Sequence, residues 1–496
     1  MVSEFLSAAS IIFADPNLLG LSALGTVLGI TMGCLPGISS TMALAILLPA
    51  TYAMSPFAAM VFLMAVFSAS VFGGSISAIL INIPGTPGAI VTQLEGYAMT
   101  RSGRASEALT YSLYSSTIGG IVGLMILMLV APIVAGAAMQ FRSPEFAMAT
   151  VFGLTMLAYS TPGSTFRGIL SGGIGLLCGM VGFDVVTDIA RFDFGIPALQ
   201  GGIELVPLTV GLFGLAEVLR GIESGATTVK TPGLGKLMPP FSSLRRLWKS
   251  ILRGSALGAV IGALPEAGSA IAVAAPYAQE QRLSKRPDDF GTGVPEGLAG
   301  PEAANNACVG GALVPLMTLG IPGDTMTAVL MGALLIHGLR PGPMLFTDRP
   351  DFVAGVYVAL FLALLLTVFF GFFLVRYFVR LMRTPSHILL VTIALLCVVG
   401  AFAIRNNVAD IYVMIAFGVI GYVMSKLEIP VAPLAFGLIL GPILEENLRR
   451  SLIISDGSWM VFFQRPIALT MLLLSAGAII YPLLSKPDRS LSIRKR

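Results

Sequence analysis

The sequence predicts an all-α polytopic membrane protein, and three observations support this fold class. Hydrophobic residues make up 55% of the 496 positions and charged residues 11%, which is far outside the usage of soluble domains. The mean hydropathy is +0.88. Apolar runs of roughly 20 residues, enough to cross a bilayer, recur along the chain, for example at 118–139, 352–375 and 388–403. From such runs we expect about 12 transmembrane helices.

Residues that commonly hold cofactors are sparse. Two histidines, His337 and His387, are too few for a haem or a multi-histidine metal centre. The four cysteines form no C-x-x-C pair, so we expect buried thiols rather than disulfides or metal ligands. The N-terminal stretch MVSEFLSAASIIFADP has no basic residue ahead of its apolar part, so we expect it to be retained rather than cleaved as a signal peptide.

Positive charge is concentrated in two segments. Residues 220–253 carry seven Lys or Arg against Glu223 alone, and the residues after Ser485 carry five against Asp488 alone. Because basic residues that flank membrane spans stay in the cytoplasm, both segments are predicted to be cytoplasmic, and their place beside spans disfavours nucleic-acid binding. The predicted regions are an N-terminal membrane repeat (1–219), a basic linker (220–253), a C-terminal membrane repeat (254–484) and a basic tail (485–496).

The two membrane regions resemble each other. Residues 25–43 read GTVLGITMGCLPGISSTMA and residues 254–272 read GSALGAVIGALPEAGSAIA, so glycines at four-residue spacing, a Leu-Pro pair and a serine recur. Residues 72–85, FGGSISAILINIPG, match residues 309–323, VGGALVPLMTLGIPG, with one residue inserted. The first copy follows uncharged or acidic sequence and the second follows the basic linker, so the charge rule predicts two inverted repeats.

Prolines and glycines interrupt the apolar sequence of each copy. Proline lacks the N–H that a helix needs, and glycine loosens the backbone. Pro36-Gly37 follows Gly25 by ~12 residues, or ~18 Å of helix, which predicts re-entrant or broken helices at the membrane midplane. Unwound backbone at that depth must be buried in protein or line a wet cavity. The glycine spacing also favours close helix packing.

These breaks predict a substrate site. Helix N-termini attract anions, freed carbonyls can hold cations, and short hydroxyls can bond to either; ordinary N-capping is the alternative role for these hydroxyls. Asn side chains near the second copy's break can donate to a carboxylate or offer a carbonyl to Na⁺, or cap a helix. The predicted substrate-binding residues are Pro36, Gly37, Ser39, Ser40, Thr41, Asn82, Pro84, Gly85, Thr86, Pro87, Gly88, Ser269, Asn305, Asn306, Pro322, Gly323 and Thr325.

Two acidic residues also stand at the breaks. Glu266 replaces the Gly37 of the first copy directly after Pro265, and Asp324 follows Gly323. An ionisable group at membrane depth is costly and points to function. Each of the two is predicted either to couple cation movement or to cap a helix. No metal is expected beyond a transported Na⁺.

Longer motifs carry a resemblance to a known family. They are GGSISAILINIPGTPGAIVTQLEGYAMTRSGRASEAL (73–109), YAQEQRLSKRPDDFGTGVPEGLAGPEAANNACVGGALVPLMTLGIPG (277–323), HGLRPGPMLF (337–346) and LGPILEENLRRSL (440–452). Over nearly its whole length the chain resembles TctA, the large membrane subunit of the tripartite tricarboxylate transporters. One departure matters: Glu266 stands where the family's second Leu-Pro-Gly usually keeps its glycine, and this leaves the cation stoichiometry or the coupling ion itself open.

The resemblance implies a multi-pass permease of the bacterial inner membrane. Its implied partners are a small four-helix membrane subunit (TctB-like) and a periplasmic solute-binding protein (TctC-like) that captures the carboxylate. Uptake would be driven by an Na⁺ or H⁺ gradient without ATP, and the chain indeed lacks G-x-x-x-x-G-K-[ST].

The sequence therefore predicts a translocating permease subunit, without a cofactor, that takes up di- or tricarboxylates such as citrate, or related organic anions, by Na⁺ or H⁺ symport. An uncoupled anion channel or pore is the alternative, because similar polar breaks could line a pore. A membrane-embedded enzyme would need an activated nucleophile or a metal cluster. The sequence offers neither a His-rich set nor G-x-S-x-G.

Overall fold

The computed structural model describes residues 2–159, 165–184, 187–225, 241–265, 268–403 and 405–484. Almost all regular structure in these ranges is helical, and the strands form one short antiparallel hairpin, β1 (Gly182–Phe183) with β2 (Ala190–Arg191). Glu266, the middle of the basic linker (226–240) and the basic tail (485–496) lie outside the described residues.

The helices follow one another with short connections. Those before the basic linker are α1 (Val2–Ala14), α2 (Pro16–Cys34), α3 (Ser40–Leu47), α4 (Pro56–Ile81), α5 (Thr92–Arg101), α6 (Ala105–Ala138), α7 (Ser143–Tyr159), α8 (Thr165–Gly179), α9 (Pro197–Gln200), α10 (Leu205–Thr209) and α11 (Ala216–Ser224). Those after it are α12 (Phe241–Gly262), α13 (Gly268–Leu283), α14 (Pro295–Leu319), α15 (Thr325–Ile336), α16 (Met344–Asp348), α17 (Pro350–Phe373), α18 (Val375–Leu381), α19 (Ser386–Ala403), α20 (Val408–Lys426), α21 (Ala432–Ile454), α22 (Val461–Gln464) and α23 (Pro466–Leu484). Short 3-10 turns lie at Leu48–Thr51, Pro87–Ala89 and Pro287–Asp289, and a π-helical turn at Val210–Leu215.

The chain forms two compact units. The first comprises Met1–Met139 and Val206–Val423, and the second comprises Gln140–Leu205 and Met424–Arg496. All the described residues of the predicted site belong to the first unit. In the second unit, α7 and α8 pack on α21, and buried carboxylates bind arginines, as Asp184 does with Arg191 at 2.9 Å.

Seven helices in the described ranges are long and apolar enough to cross a membrane. They are Pro16–Cys34, Pro56–Ile81, Ala105–Ala138, Leu205–Ser224, Pro350–Phe373, Ser386–Ala403 and Val408–Lys426. Shorter apolar helices accompany them, among them Ser40–Thr51 and Thr325–Ile336. The protein is thus an α-helical, multi-pass membrane protein. The expected number of about 12 spans and the inverted orientation of the repeats stay predictions.

The glycines of the first copy bring α2 against α4. A Cβ built on Gly25 would lie 2.6 Å from the carbonyl oxygen of Phe62, and one on Gly29 would lie 2.7 Å from that of Val66. Such distances are too short for any side chain, so only glycine lets the two backbones approach this closely.

The second copy repeats this packing between α12 and α14. A Cβ on Gly254 would lie 2.1 Å from the carbonyl oxygen of Gly300, and one on Gly258 would lie 2.2 Å from that of Ala304. Gly73 approaches Ile30 of α2 as Gly311 approaches Ala259 of α12. This register aligns residues 71–85 with 309–323 without a gap, so the predicted one-residue insertion is wrong.

Helix lengths correct another part of the prediction. Counting from Gly25 placed the first break near the midplane, but α2 begins at Pro16 and its 19 residues span ~28 Å, almost the full bilayer core. The helix before the first break is therefore long, and the short helices are those that follow the breaks. For example, α15 has 12 residues, or ~18 Å. The count from Gly25 therefore no longer supports a midplane position, and the depth of the breaks stays a prediction.

Candidate functional site

The long helix of each copy ends in the same backbone conformation. Asn82 follows α4 with φ 60° and ψ 28°, and Gly320 follows α14 with φ 67° and ψ 25°. Both lie in the left-handed region, which stops a helix. Thr86 (φ −138°, ψ 156°) and Asp324 (φ −155°, ψ 179°) are then both extended, so the two breaks take the same backbone path.

Glycines let both breaks lie directly against helix backbone. A Cβ on Gly85 would lie 2.3 Å from the carbonyl oxygen of Gly33 and 2.7 Å from the Cα of Gly74. A Cβ on Gly323 would lie 2.6 Å from the Cα of Ala312. The backbone N–H of Gly85 also donates to the carbonyl of Gly74 at 3.3 Å. Pro84 and Pro322 stand directly before these glycines, so each break is a defined turn pressed onto a helix.

The first break of the first copy meets the second break of the second copy. Pro36 and Gly37, the latter exposed with φ 85°, form the turn between α2 and α3. Ser39 then caps α3 by accepting a hydrogen bond from the N–H of Met42 at 3.1 Å. The hydroxyl oxygens of Thr41 on α3 and Thr325 on α15 lie 2.9 Å apart, which joins two predicted site residues from the two copies.

The remaining two breaks also meet. Helix α13, with Pro265 before it and the buried Ser269 in its first turn, packs against the 3-10 turn Pro87–Ala89. In the repeat register, Thr325 corresponds to Pro87 and the start of α3 corresponds to the start of α13. The contact is therefore the counterpart of the α3–α15 contact, and each first break lies against the second break of the other copy.

Helix α14 adds an amide to this second pair. A Cβ on Gly88 would lie 1.9 Å from the Oδ1 atom of Asn305, so glycine is needed there for the Asn305 side chain to reach the turn. Asn306, the next residue, donates from Nδ2 to the carbonyl oxygen of Glu302 at 3.1 Å, within its own helix.

Three predicted site residues carry buried polar atoms without a hydrogen-bond partner in the described part of the chain. They are the Ser40 Oγ, the Thr86 Oγ1 and the Asn305 Nδ2. Buried polar groups are normally satisfied, because leaving one unpaired costs free energy. All three atoms can donate a hydrogen bond, so the breaks offer the donors that an anion would need.

The two predicted ion-coupling residues have different outcomes. Asp324 caps α15, because its Oδ1 accepts from the N–H and the hydroxyl of Thr327, each at 2.8 Å. The capping role left open by the sequence is thus observed for Asp324, and its coupling role stays a prediction. Glu266 lies outside the described residues. Asn82 is exposed. The structure shows that its backbone ends α4, and its substrate-binding role stays a prediction.

Comparison with known proteins identifies the family. The model of the tripartite tricarboxylate transporter TctA family matches residues 19–436. The chain belongs to this family. A relative from Agrobacterium vitis, an uncharacterised 52.8 kDa protein in the TAR-I ttuC' 3' region, is 36% identical over 472 residues, 94% of each chain. An uncharacterised protein in the TAR-II ttuC' 3' region of the same organism is 39% identical over 227 residues, 46% of this chain and 94% of that protein. No solved structure matches.

This family match confirms the resemblance to TctA that the sequence motifs indicated. The family is one of transporters rather than enzymes, which agrees with the expectation that this chain is not an enzyme. For this TctA protein, the breaks with their open donors are accordingly the candidate transport site.

Sequence reasoning missed two buried carboxylates of this TctA chain. Glu302 accepts hydrogen bonds from four hydroxyls, those of Ser75, Thr92, Ser112 and Ser116. Ser112 and Ser116 share a face of α6 at a four-residue spacing, which was a local signal. That three other helices converge on Glu302 was not visible in the sequence.

Glu95 is the second such carboxylate. It accepts from the N–H groups of Gly291 at 2.6 Å, Gly293 at 2.7 Å and Val294 at 2.8 Å, and from the hydroxyl of Tyr277 at 2.9 Å. These bonds fasten the turn that precedes α14 to α5. Glu95 therefore sets where α14, with its Asn305, begins.

Proposed function

We propose that this chain is the translocating permease subunit of a binding-protein-dependent secondary transporter. It takes up di- or tricarboxylates such as citrate, or related organic anions, in symport with Na⁺ or H⁺. The observation that carries the proposal is the set of unpartnered buried donors on Ser40, Thr86 and Asn305. All three lie at cross-paired helix breaks of a TctA-family chain.

The anion is held by neutral donors and helix ends. The four break segments contain neither Lys nor Arg. A bound carboxylate would therefore meet hydroxyls, an amide and the N-terminus of α3, whose dipole favours negative charge. Without a fixed cation the site binds its substrate moderately, and a moderately bound substrate can leave on the far side.

Release requires the copies to move relative to one another. In repeat-built transporters one bundle rocks or gates against the other around a central site. The contact between the hydroxyls of Thr41 and Thr325 and the packing of α13 on the turn Pro87–Ala89 join the copies. Alternating access would break and remake these two contacts.

The proposed setting is a three-part system of the bacterial inner membrane. A periplasmic TctC-like protein delivers the carboxylate, a small four-helix TctB-like subunit accompanies this chain, and the basic linker and tail face the cytoplasm. Asp324 and Glu266 are the proposed ion-coupling residues. Replacing Asp324 by Asn keeps a side chain that can cap α15 and removes the charge, so we expect coupled uptake to fall while the protein stays folded.

Uptake by the complete three-subunit system tests the proposal. The substrate is first identified by a thermal-shift screen of carboxylates on the binding protein encoded beside this chain, and the radiolabelled compound is then supplied to proteoliposomes. We expect accumulation above the external concentration while an Na⁺ or H⁺ gradient is imposed, and none after both gradients are collapsed. Equilibration without accumulation under every gradient would instead indicate an uncoupled channel.

A further inference from the structure

Glu302 lies at the centre of a ring of hydroxyls. It is fully buried on α14. Its Oε1 accepts from Ser75 of α4 at 2.8 Å and from Thr92 of α5. Its Oε2 accepts from Ser112 and Ser116 of α6 at 2.7 and 3.0 Å. Three different helices thus converge on one carboxylate.

The other buried carboxylates in the described residues have partners of two kinds. Four bind an arginine, namely Glu145 with Arg465, Asp184 with Arg191, Glu280 with Arg253 and Asp410 with Arg405. Glu95 and Asp324 accept hydrogen bonds from backbone N–H groups at the start of a helix. Across the described residues, the hydrogen bonds that the side-chain carboxylate of Glu302 accepts come from neutral hydroxyls alone. A buried carboxylate without a counter-charge is costly, and a bound cation would offset that cost.

Hydroxyls can serve a cation as well as a carboxylate. A Ser or Thr hydroxyl donates one hydrogen bond and also offers lone pairs, whereas an arginine can only donate. If a hydroxyl of the ring rotates, its oxygen can accept a hydrogen bond from a protonated Glu302. The hydroxyl oxygens can equally bind a small hard cation together with the Glu302 carboxylate, because such ions prefer oxygen ligands. Arginine in the ring would allow neither.

We propose that Glu302, with Ser75, Thr92, Ser112 and Ser116, binds a coupling cation of this transporter, in addition to the proposed coupling residues Asp324 and Glu266. The cation is a small monovalent ion, either Na⁺ or a proton. The inference rests on the proposed symport function and names the site at which the gradient would act. It adds a coupling site that the sequence did not predict.

The Glu302 carboxylate and its ring of hydroxyls are connected to the proposed anion site through two elements, α14 and the turn Pro87–Ala89. Glu302 and Asn305 lie about one turn apart on α14, and Asn305 reaches Gly88 in the turn Pro87–Ala89. Thr92 begins α5 shortly after that turn. Cation binding at Glu302 would therefore reposition the same helix and turn that present hydrogen-bond donors to the anion.

On the helices around Glu302, Arg101 at the end of α5 is exposed, and the other carboxylates have their own partners. They are Glu95 on α5 with Tyr277, Glu107 on α6 with Arg104 and Tyr111, Glu280 on α13 with Arg253 on α12, and Glu296 on α14 with Arg246. Changes at Glu302 can therefore be compared with changes at a paired carboxylate, and Glu280 is the matched control.

The test uses the purified full chain in lipid nanodiscs. Its melting temperature is followed while NaCl replaces N-methyl-D-glucamine chloride at constant ionic strength and pH, and separately across a pH series without Na⁺. We expect the wild type to be stabilised by Na⁺ or by acid. Glu302→Gln should lose the stabilisation by Na⁺ and gain less from acid than the wild type does, because the amide keeps the shape of the side chain but carries no charge. Glu280→Gln should respond as the wild type does.

A second variant keeps the test decisive if Glu302→Gln fails to fold. Ser116→Ala removes one hydroxyl of the ring and should raise the Na⁺ concentration, or the proton concentration, of half-maximal stabilisation about tenfold, as expected for one lost hydrogen-bonding ligand. A response to Na⁺ at fixed pH identifies sodium as the ion, and a response to acid alone identifies the proton.

Two results would overturn the inference: a wild type that responds to neither ion, or Glu302→Gln and Ser116→Ala variants that respond like the wild type. The proposed function fails separately, when uptake by the three-subunit system ignores both gradients. Gradient-driven uptake together with an unchanged cation response in these variants would place the coupling ion elsewhere.

Discussion

The breaks at 82–88 and 320–325 share a backbone path but differ in chemistry. Asn82 is exposed where Gly320 is buried. Thr86 Oγ1 is buried without a partner, whereas Asp324, at the corresponding position, caps the next helix. After the first break comes a 3-10 turn and the polar helix α5; after the second comes the apolar helix α15.

This difference separates a geometric role from a chemical one. The left-handed cap and the buried glycine are kept in both copies, so they are what is needed to end a long helix against its neighbour. The polar side chain that follows is free to change. In one copy it satisfies the backbone of α15, and in the other it leaves a donor open near Asn305. We therefore expect the chemistry of the proposed anion site to be concentrated at the first copy's break and α14.

The largest expected effect comes from filling the glycine positions of the two breaks. Gly85→Ala and Gly323→Ala each place a methyl group within 2.7 Å of backbone atoms, and such overpacking costs about 1–3 kcal/mol. We expect both variants to melt at clearly lower temperature and to lose uptake. Gly20→Ala in α2, where nothing lies within 4 Å of the new Cβ, is the matched control. Stability equal to that control in both variants would contradict the shared geometry.

The local part of this comparison could be predicted from the sequence, and the long-range part could not. Pro84-Gly85 and Pro322-Gly323 predict helix breaks, because the effects of proline and glycine on the backbone are local to the residues themselves. The start of α2 at Pro16 was a further local signal, because Asp15 caps the helix and proline favours its first position. The gap-free register and the hydroxyl ring of Glu302 depend on which helices meet. Contacts between helices distant in sequence leave no pattern along one chain.

The next largest effect is expected from removing the unpartnered hydroxyls of the breaks, and it should appear in transport rather than in stability. Thr86→Val and Ser40→Ala remove hydroxyls without a partner, so melting temperature should stay the same or rise. Each lost bond to the anion should raise the KM for uptake about tenfold. Thr318→Val is the control, because in the described part of the chain its hydroxyl donates to the Val314 carbonyl of its own helix at 2.7 Å. A KM unchanged in both variants would remove these donors from the substrate site.

The cap of the second copy should have a smaller effect. Asp324→Ala loses the hydrogen bonds from Thr327, which should cost about 1 kcal/mol, while Asp324→Asn should cost a few tenths at about the same geometry. Melting temperatures of the two variants measure this difference. Equal losses would show that the charge of Asp324, rather than its cap, stabilises the break.

The smallest effect concerns the residue that ends α4. Asn82 has φ 60°, a region that Asn tolerates better than alanine and glycine adopts freely. Asn82→Ala should therefore lower the free energy of unfolding by about 0.5–1 kcal/mol, and Asn82→Gly should change it little. Gly320→Ala, at φ 67° with a Cβ 2.9 Å from the Pro341 carbonyl oxygen, should lose more than Asn82→Ala, because the first site is exposed and the second buried. A larger loss for Asn82→Ala would mean that the exposed amide, and not only the backbone, holds the first break.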